Sequence, residues 1–563
     1  MVFTGNNNNS IGGNLVNEAV RCAAMHSVVL RCAELVEASL PKQACRSELV
    51  EVSKCRSTTS VTSIAIILCM VLNFQLLAQD INLKIHLRGV SESKITLLPL
   101  IGANALKPLI EKQGIKNGET VTISIPDVFA PHGAHLLPGE FILRFDYKEK
   151  ETSTPYPSEK HIFISNQDLE LWVNPPYCNN SDSTWFQKDE KENTLFALFT
   201  KENSKQKEKL GLLQNFLMNY DDAQSPFYMQ GIEEYEKRRN NYNQWLTEQS
   251  VLHKALFVSH GFQFQHVPRI AFNGSEIDRL KNVIAHYFDG IDFQDTLLLH
   301  TNELKSFITT YVNMYASLSK TQANLDSLYP LIGKKAIEKA RLGNPKVYGW
   351  MVDYFYNGYE SFNMQTGLKM LESYINDTTC LTNKRQAIEK RLTGIKTLVV
   401  GTVAPDFIIN PDLTGFNNLS GLETGLTFHQ CKTNSHYKLL LFWSADCGHC
   451  KELVHNLYTW LVNTPHGAYP LAGAYPLVDV FALSLDNTET EISIWENAIT
   501  QLKGWRHIRC EGGINSKEAN AYFILSAPVM ILVDARTNKI IAFPENTGEV
   551  NRYLEEMSIN GKI

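Results

Sequence analysis

An unbroken apolar run, Lys438-Leu439-Leu440-Leu441-Phe442-Trp443, leads through a short turn to Cys447-Gly448-His449-Cys450 and then to an amphipathic stretch, Lys451 to Leu461. A continuous apolar run of this length reads as a buried strand, and the stretch after the cysteines reads as a helix. A strand running almost directly into a helix restricts the region to a layered α/β arrangement. It also puts two cysteines in the first turn of that helix. A thiol there faces the positive end of the helix dipole and unpaired backbone N–H groups, and both favour the thiolate. With two residues between them, the second sulfur can reach the first and close a small disulfide ring. That geometry suits thiol–disulfide exchange.

The surrounding pattern agrees. From Gly401 onward, apolar strands are expected at Lys438–Trp443, Leu477–Leu485, Pro528–Val533 and Ile540–Ala542. Helices are expected at Cys447–Leu461, Glu489–Leu502, Ser516–Phe523 and Gly548–Met557. Residues 398–563 are therefore expected to form one α/β domain. Upstream the period differs. Ile81, Leu83, Ile85 and Leu87 alternate with polar residues, and further strand-like runs follow at Lys94–Leu98, Glu119–Ile125, Glu140–Tyr147, His161–Ser165 and Leu169–Asn174. Residues 80–176 thus read as an antiparallel β-sandwich that ends at Pro175-Pro176, where neither residue can continue a strand ladder. Between them, residues 183–397 read as an α-helical domain, with apolar residues at three- and four-residue intervals in Glu208–Tyr220, Ser275–Phe288, Thr301–Ser317 and Lys384–Ile395.

The N-terminus carries a different signal. Lys54 and Arg56 precede the apolar run Ile64 to Leu72, and Leu76-Leu77-Ala78-Gln79-Asp80 follows it. A positive flank, a short apolar run and a small residue before a polar start make residues 61–79 an expected signal peptide, cleaved near Ala78. Residues 1–60 contain the near-duplicate Glu34 to Ser39 and Glu48 to Ser53, and are expected to be a spurious or unstructured extension. Export to the periplasm or cell envelope of a Gram-negative bacterium is the corresponding expectation. With 53 basic and 59 acidic residues among 563, the balanced charge gives no case for nucleic acid, and any membrane contact would come through the signal segment if it stayed uncleaved. Five of the 11 cysteines fall at or before Cys69. The others are Cys178, Cys380, Cys431, Cys447, Cys450 and Cys510, too few for a disulfide scaffold in so long a chain. Cys447 and Cys450 are the one closely spaced pair among these, and no second CxxC or His/Cys cluster stands at zinc-ligand spacing.

Three segments together resemble the thioredoxin superfamily: Trp443-Ser444-Ala445-Asp446-Cys447-Gly448-His449-Cys450, Ala527-Pro528-Val529 at a later strand start, and the opening signature Gly401-Thr402-Val403-Ala404-Pro405-Asp406-Phe407. The resemblance is to the exported TlpA/ResA-like thiol–disulfide oxidoreductases and covers about residues 398–563. It implies that Cys447 is the nucleophile, Cys450 the resolving thiol, and Pro528 the proline packed beside them. Ala527 would offer its backbone to a substrate, and Trp443 would shape the site. Gly448-His449 is the dipeptide of disulfide isomerases; a protonated His449 favours a neighbouring thiolate, and Asp446 opposes it. The resemblance further implies no bound cofactor, protein thiols or disulfides as substrates, and a redox partner protein that supplies electrons. Two departures stand out. Leu441 occupies the place of the buried acid of thioredoxin, so a proton acceptor for Cys450 comes from elsewhere or is missing, and His455 replaces a helix-kinking proline. An alternative of another class is a binding or scaffold protein that keeps the fold without turnover. The sandwich resembles β-modules placed ahead of such domains, and the helical region, with His286 to Phe293, resembles a helical module of uncharacterised function that also precedes them.

Overall fold

The computed structural model describes residues 81–559 except 103–104, 126–127, 130–133, 136, 319–321, 363, 410–425 and 464–477. The expected extension and signal peptide lie outside the described residues. The chain divides into two compact units, Met1–Met351 and Val352–Ile563, with the division falling inside helix Pro345–Ser361.

In the first unit, the described residues first form ten strands: β1 (Ile81–Leu87), β2 (Glu92–Pro99), β3 (Ile110–Lys116), β4 (Thr120–Ile125), β5 (Val128–Phe129), β6 (Ala134–His135), β7 (Gly139–Lys148), β8 (Tyr156–Ile164), β9 (Leu169–Val173) and β10 (Trp185–Phe186). Two four-stranded sheets form, in the orders β10-β9-β1-β4 and β3-β2-β7-β8. Alternation sets the faces: Leu83, Ile85 and Leu87 of β1 are buried with Ile95 and Leu97 of β2 and Leu143 and Phe145 of β7. The sandwich is mixed rather than wholly antiparallel, because β9 runs parallel to β1, pairing Leu83 with Leu169 and Leu87 with Val173. The expectation came from period-two burial alone, which both pairings satisfy. Strand β3 escaped the sequence reading because Ile-Glu-Lys-Gln-Gly-Ile-Lys has no apolar face to bury.

Helices follow: α1 (Glu192–Met218), α2 (Pro226–Leu252), α3 (Glu276–Ala285), α4 (Asn302–Ala316), α5 (Gln322–Arg341) and α6 (Pro345–Ser361). Ser275 starts α3 with a reciprocal capping box to Asp278, which satisfies donors that the helix start leaves unpaired. Phe199, Leu210, Leu217, Tyr235, Tyr242 and Phe262 form the core of this helical layer together with Phe163 of β8. Two buried carboxylates stitch it together. Glu140 of β7 accepts from Thr301 Oγ1 and from Asn302 N–H at the start of α4. Glu192 accepts from Phe257 and Val258 N–H at 3.3 and 3.0 Å.

The second unit holds the end of α6, then α7 (Gln365–Met370), α8 (Glu372–Ile375) and α9 (Arg385–Thr397), and then the expected alternation: β11 (Tyr437–Trp443), α10 (Gly448–Asn463), β12 (Val478–Ser484), α11 (Glu489–Ile499), β13 (Arg506–Arg509), α12 (Lys517–Ala521), β14 (Val529–Asp534), β15 (Ile540–Ala542) and α13 (Thr547–Ile559). The sheet order is β13-β12-β11-β14-β15. Strand β11 is central, parallel to β12 and antiparallel to β14. All seven of its residues are buried, as a strand covered on both faces requires. Leu439, Leu441 and Trp443 face one core with Val454 and Leu457 of α10 and Val550 and Leu554 of α13. Leu440 and Phe442 face the other with Phe407, Phe428, Ile531 and Tyr522. Lys438, also buried, is satisfied by Phe428 O at 2.8 Å and Asn538 Oδ1 at 3.1 Å. Strand β13, Arg-His-Ile-Arg, is a polar edge strand that no apolar pattern announces. Helix α9 lies against the α12–β14 connection: Lys390 Nζ donates to Asn520 Oδ1 and Ile524 O, both at 2.8 Å. A Cβ at Gly394 would stand 2.8 Å from Phe523 Cβ, so the close approach there requires glycine.

Candidate active site

The end of β11 delivers the chain to the site. Trp443, the last strand residue, is buried, and its carbonyl accepts from Leu485 N–H at 2.8 Å, which ties it to the end of β12. Ser444 to Asp446 form the turn: Cys447 N–H donates to Ser444 O at 3.3 Å and Asp446 N–H to Ser444 Oγ at 3.2 Å. Helix α10 then starts at Gly448. Cys447 therefore stands at the N-cap, where a side-chain acceptor normally satisfies one of the four free N–H groups of the first turn. Its sulfur plays that part, accepting from Cys450 N–H at 3.4 Å. This is the helix-start position, facing unpaired N–H groups, that the strand–turn–helix pattern predicts.

The two thiols differ in environment. Cys447 is half-buried, and Cys450, one helical turn inward, is fully covered in the core with Trp443, Val454 and Leu457. Burial pushes the Cys450 thiol well up; its hydrogen bond to Cys447 and the negative charge of Asp486 add to this, and a backbone hydrogen bond from Ser444 works against it. Ala527 and Pro528 arrive from the far side at the start of β14. Their peptide bond is cis, and the Ala527 carbonyl lies 4.0 Å from Cys447 Sγ. The fold thus brings Trp443, Cys447, Cys450, Ala527 and Pro528 together. Beside Pro528 opens a recess of about 490 Å3 whose lining includes Arg391, Ile395, Leu398, Phe523, Ser526 and Phe543.

Asp446, Gly448 and His449 sit on the exposed lip. The Asp446 carboxylate is 4.0 Å from Lys451 Nζ with both side chains more than half exposed, a pairing that water and salt largely screen. Leu441 is buried in the same apolar core as Trp443, in keeping with its lack of any acid–base role. Cys431 and Cys510 lie in the core on the opposite face of the sheet, and burial pushes the Cys510 thiol up to about 12. Cys178 and Cys380 are likewise buried and unbridged. Among the described residues, no group of three or more His, Cys, Asp or Glu is placed to hold a metal ion, and no helix is long and apolar enough to cross a membrane.

One residue of the site was missed from sequence. Asp486, only 1% exposed, accepts from Ser444 Oγ at 2.6 Å, from Ala445 N–H at 2.9 Å and from Ser484 Oγ at 2.7 Å. It lies just past β12, far from the cysteines in sequence, and only the pairing of β11 with β12 brings it under the turn. A Ser-Leu-Asp at the end of an apolar strand was the one available signal.

No family model matches the chain, and no curated protein matches it. Solved structures do resemble parts of it. A thioredoxin-like protein from Bacteroides caccae is 17% identical, with 52% of this chain and 97% of that one covered at a TM-score of 0.32. The thioredoxin domain of a thiol-disulfide oxidoreductase from Bacteroides vulgatus is 23% identical over 28% of this chain and 99% of that one, at a TM-score of 0.21. A domain of a possible thiol-disulfide isomerase from Cytophaga hutchinsonii is 22% identical over 29% and 97%, at 0.22.

Proposed function

We propose that this chain is a thiol–disulfide oxidoreductase, TlpA/ResA-like in its C-terminal unit, that exchanges electrons with protein disulfides through Cys447 and Cys450. One observation carries the reading: the half-buried Cys447 thiol at a helix N-cap accepts from the backbone N–H of Cys450, whose own thiol is fully buried, with the Ala527 carbonyl opposite. A lone structural cysteine needs none of this. In the reductive direction, the Cys447 thiolate attacks one sulfur of a substrate disulfide. A Cys447–substrate disulfide forms, and the substrate's other sulfur leaves as a thiolate that takes up a proton. Cys450 then loses its proton and attacks Cys447 Sγ, which forms the intramolecular disulfide and expels the second substrate thiolate. Two electrons have passed to the substrate, and a partner protein's dithiol restores the pair. Oxidation is the reverse sequence.

No bound cofactor enters these steps. The recess beside Pro528 offers room for the polypeptide that flanks a substrate cysteine. Export to a Gram-negative periplasm or envelope belongs to the same proposal and rests on the segment at residues 61–79. The test is a Cys450→Ser chain incubated with an envelope protein extract. Substrates should accumulate as mixed disulfides on Cys447 that dithiothreitol releases. An absence of such adducts, with the chain folded, contradicts exchange and leaves the scaffold reading.

A further inference from the structure

The recess of about 490 Å3 beside Pro528 has two walls of different origin. One belongs to the thiol site. Ser526, Pro528 and Val529 line it, and Ala527 among them holds its carbonyl 4.0 Å from Cys447 Sγ. Leu453 of α10, one turn beyond Cys450, lines it as well. An extended residue spans about 3.3 Å, so a chain lying in the recess reaches the attacking sulfur within a few residues. The other wall is Ile395, Leu398, Val399 and Val400, from the end of α9 and the segment after it, outside the strand–helix alternation that builds the sheet. That wall is pinned. Lys390 Nζ donates to Ile524 O, Gly394 packs against Phe523, and Gly401 N–H donates to Ile540 O at 2.8 Å. It is also apolar and open to solvent: Val399 is 41% exposed and Val400 64%, and Phe543 at the end of β15 adds a ring that is 37% exposed. Of the charged lining residues, Arg391 and Glu360 are paired with each other, Nε to Oε2, at 2.9 Å. Exposed apolar side chains gathered at one concave place mark a binding surface.

We propose that this recess is a specificity site: it takes a large apolar side chain, of the leucine or phenylalanine kind, from the extended polypeptide beside the substrate's reacting cysteine. The wall contributed by α9 makes the selection, because it supplies apolar surface that the sheet and the thiols alone do not offer. Its continuity with the Ser526–Val529 loop argues for a segment of the substrate chain as the occupant. Side chains of this kind are mostly buried once a protein has folded. The favoured substrates are therefore disulfides in incompletely folded protein segments, and small polar disulfides are poor ones. The inference rests on the exchange reading proposed above.

The test mixes the full chain in its dithiol form with two peptide disulfides of equal length and charge, one with leucine on both sides of the cysteine and one with serine. Each rate is divided by that peptide's rate with dithiothreitol, which removes differences in intrinsic reactivity. The leucine peptide should react about tenfold faster, and the gain should lie in the half-saturating concentration more than in the limiting rate. Val400→Asp alters an exposed side chain, so the fold should hold, and the preference should drop below about threefold because the leucine peptide alone slows. Phe543→Ser, on the other side of the recess, should act in the same direction. Equal rates for the two peptides in the wild type, or a preference that survives both substitutions, overturns the proposal. So does a dimer in sedimentation that Val400→Asp dissociates, since the recess would then seat a second copy of the chain. A wild-type chain that reduces neither peptide removes the exchange reading itself.

Discussion

Both units bury carboxylates, and they use them differently. Glu192 of the first unit takes backbone donors from Phe257 and Val258 and ties α1 to that distant segment, and Glu190 takes them from Asn193 and Thr194 at the start of α1; both are pieces of framework. Asp486 of the second unit takes its donors from the turn that carries two thiols. Within the framework, burial raises Glu190 to about 8 and Glu192 to about 7. A strongly perturbed carboxyl therefore does not locate a site in this molecule. What does is a perturbed group that neighbours a reactive one with a path to solvent.

The largest effect that sharpens this contrast comes from removing a framework carboxylate. Glu192→Ala leaves two buried N–H groups unpaired and should destabilise the first unit by about 2–4 kcal/mol. Amide hydrogen exchange should lose protection in Glu192–Met218 while β11 keeps its own. Equal loss in both would show that the two units unfold as one and break the comparison.

A smaller effect comes from pH. A carboxyl that holds its proton longer in the fold than in the unfolded chain favours the fold on acidification. Its stabilisation is complete below the unfolded value near 4.5 and is lost as pH rises to the folded value. Lowering the pH from 8 to 7 should therefore stabilise the first unit by about 1 kcal/mol through Glu190 and Glu192. In the second unit, His507 is held down to about 4 by burial, so its cost appears mainly as pH falls below about 6.5, and protection in β11 should stay nearly flat over the same interval. Amide protection followed in both regions checks the difference. A flat response in the first unit would mean that water reaches its carboxyls.

The C-terminal unit was the more legible in sequence because its signals are local. An all-buried strand reads as a continuous apolar run, and the thiols mark the helix that follows it, so β11, α10, β12, β14 and β15 lie within a residue or two of their expected limits. Of the strands that were missed, β3 and β13 are polar and exist because a neighbouring strand supplies a ladder, and β5, β6 and β10 are only two residues long, too short for a period to show. The parallel pairing of β9 with β1 was missed for a related reason: alternation records which face a residue takes and not the direction of its neighbour. Asp486 was missed because its role is set by strand order. Helix α2 lies inside the stretch read as helical, and it buries a stripe of Tyr228, Tyr235, Tyr242 and Leu246 under a largely polar surface.

The central claim is that Cys447 and Cys450 form a reversible two-electron couple while the other thiols serve as packing. The most direct measurement equilibrates purified residues 80–563 across glutathione redox ratios and counts free thiols at each by alkylation and mass spectrometry. The account predicts a single two-electron transition confined to Cys447 and Cys450, with Cys178, Cys380, Cys431 and Cys510 remaining thiols throughout. A chain in which that pair shows no reversible transition, or in which the buried cysteines oxidise in its place, would contradict it.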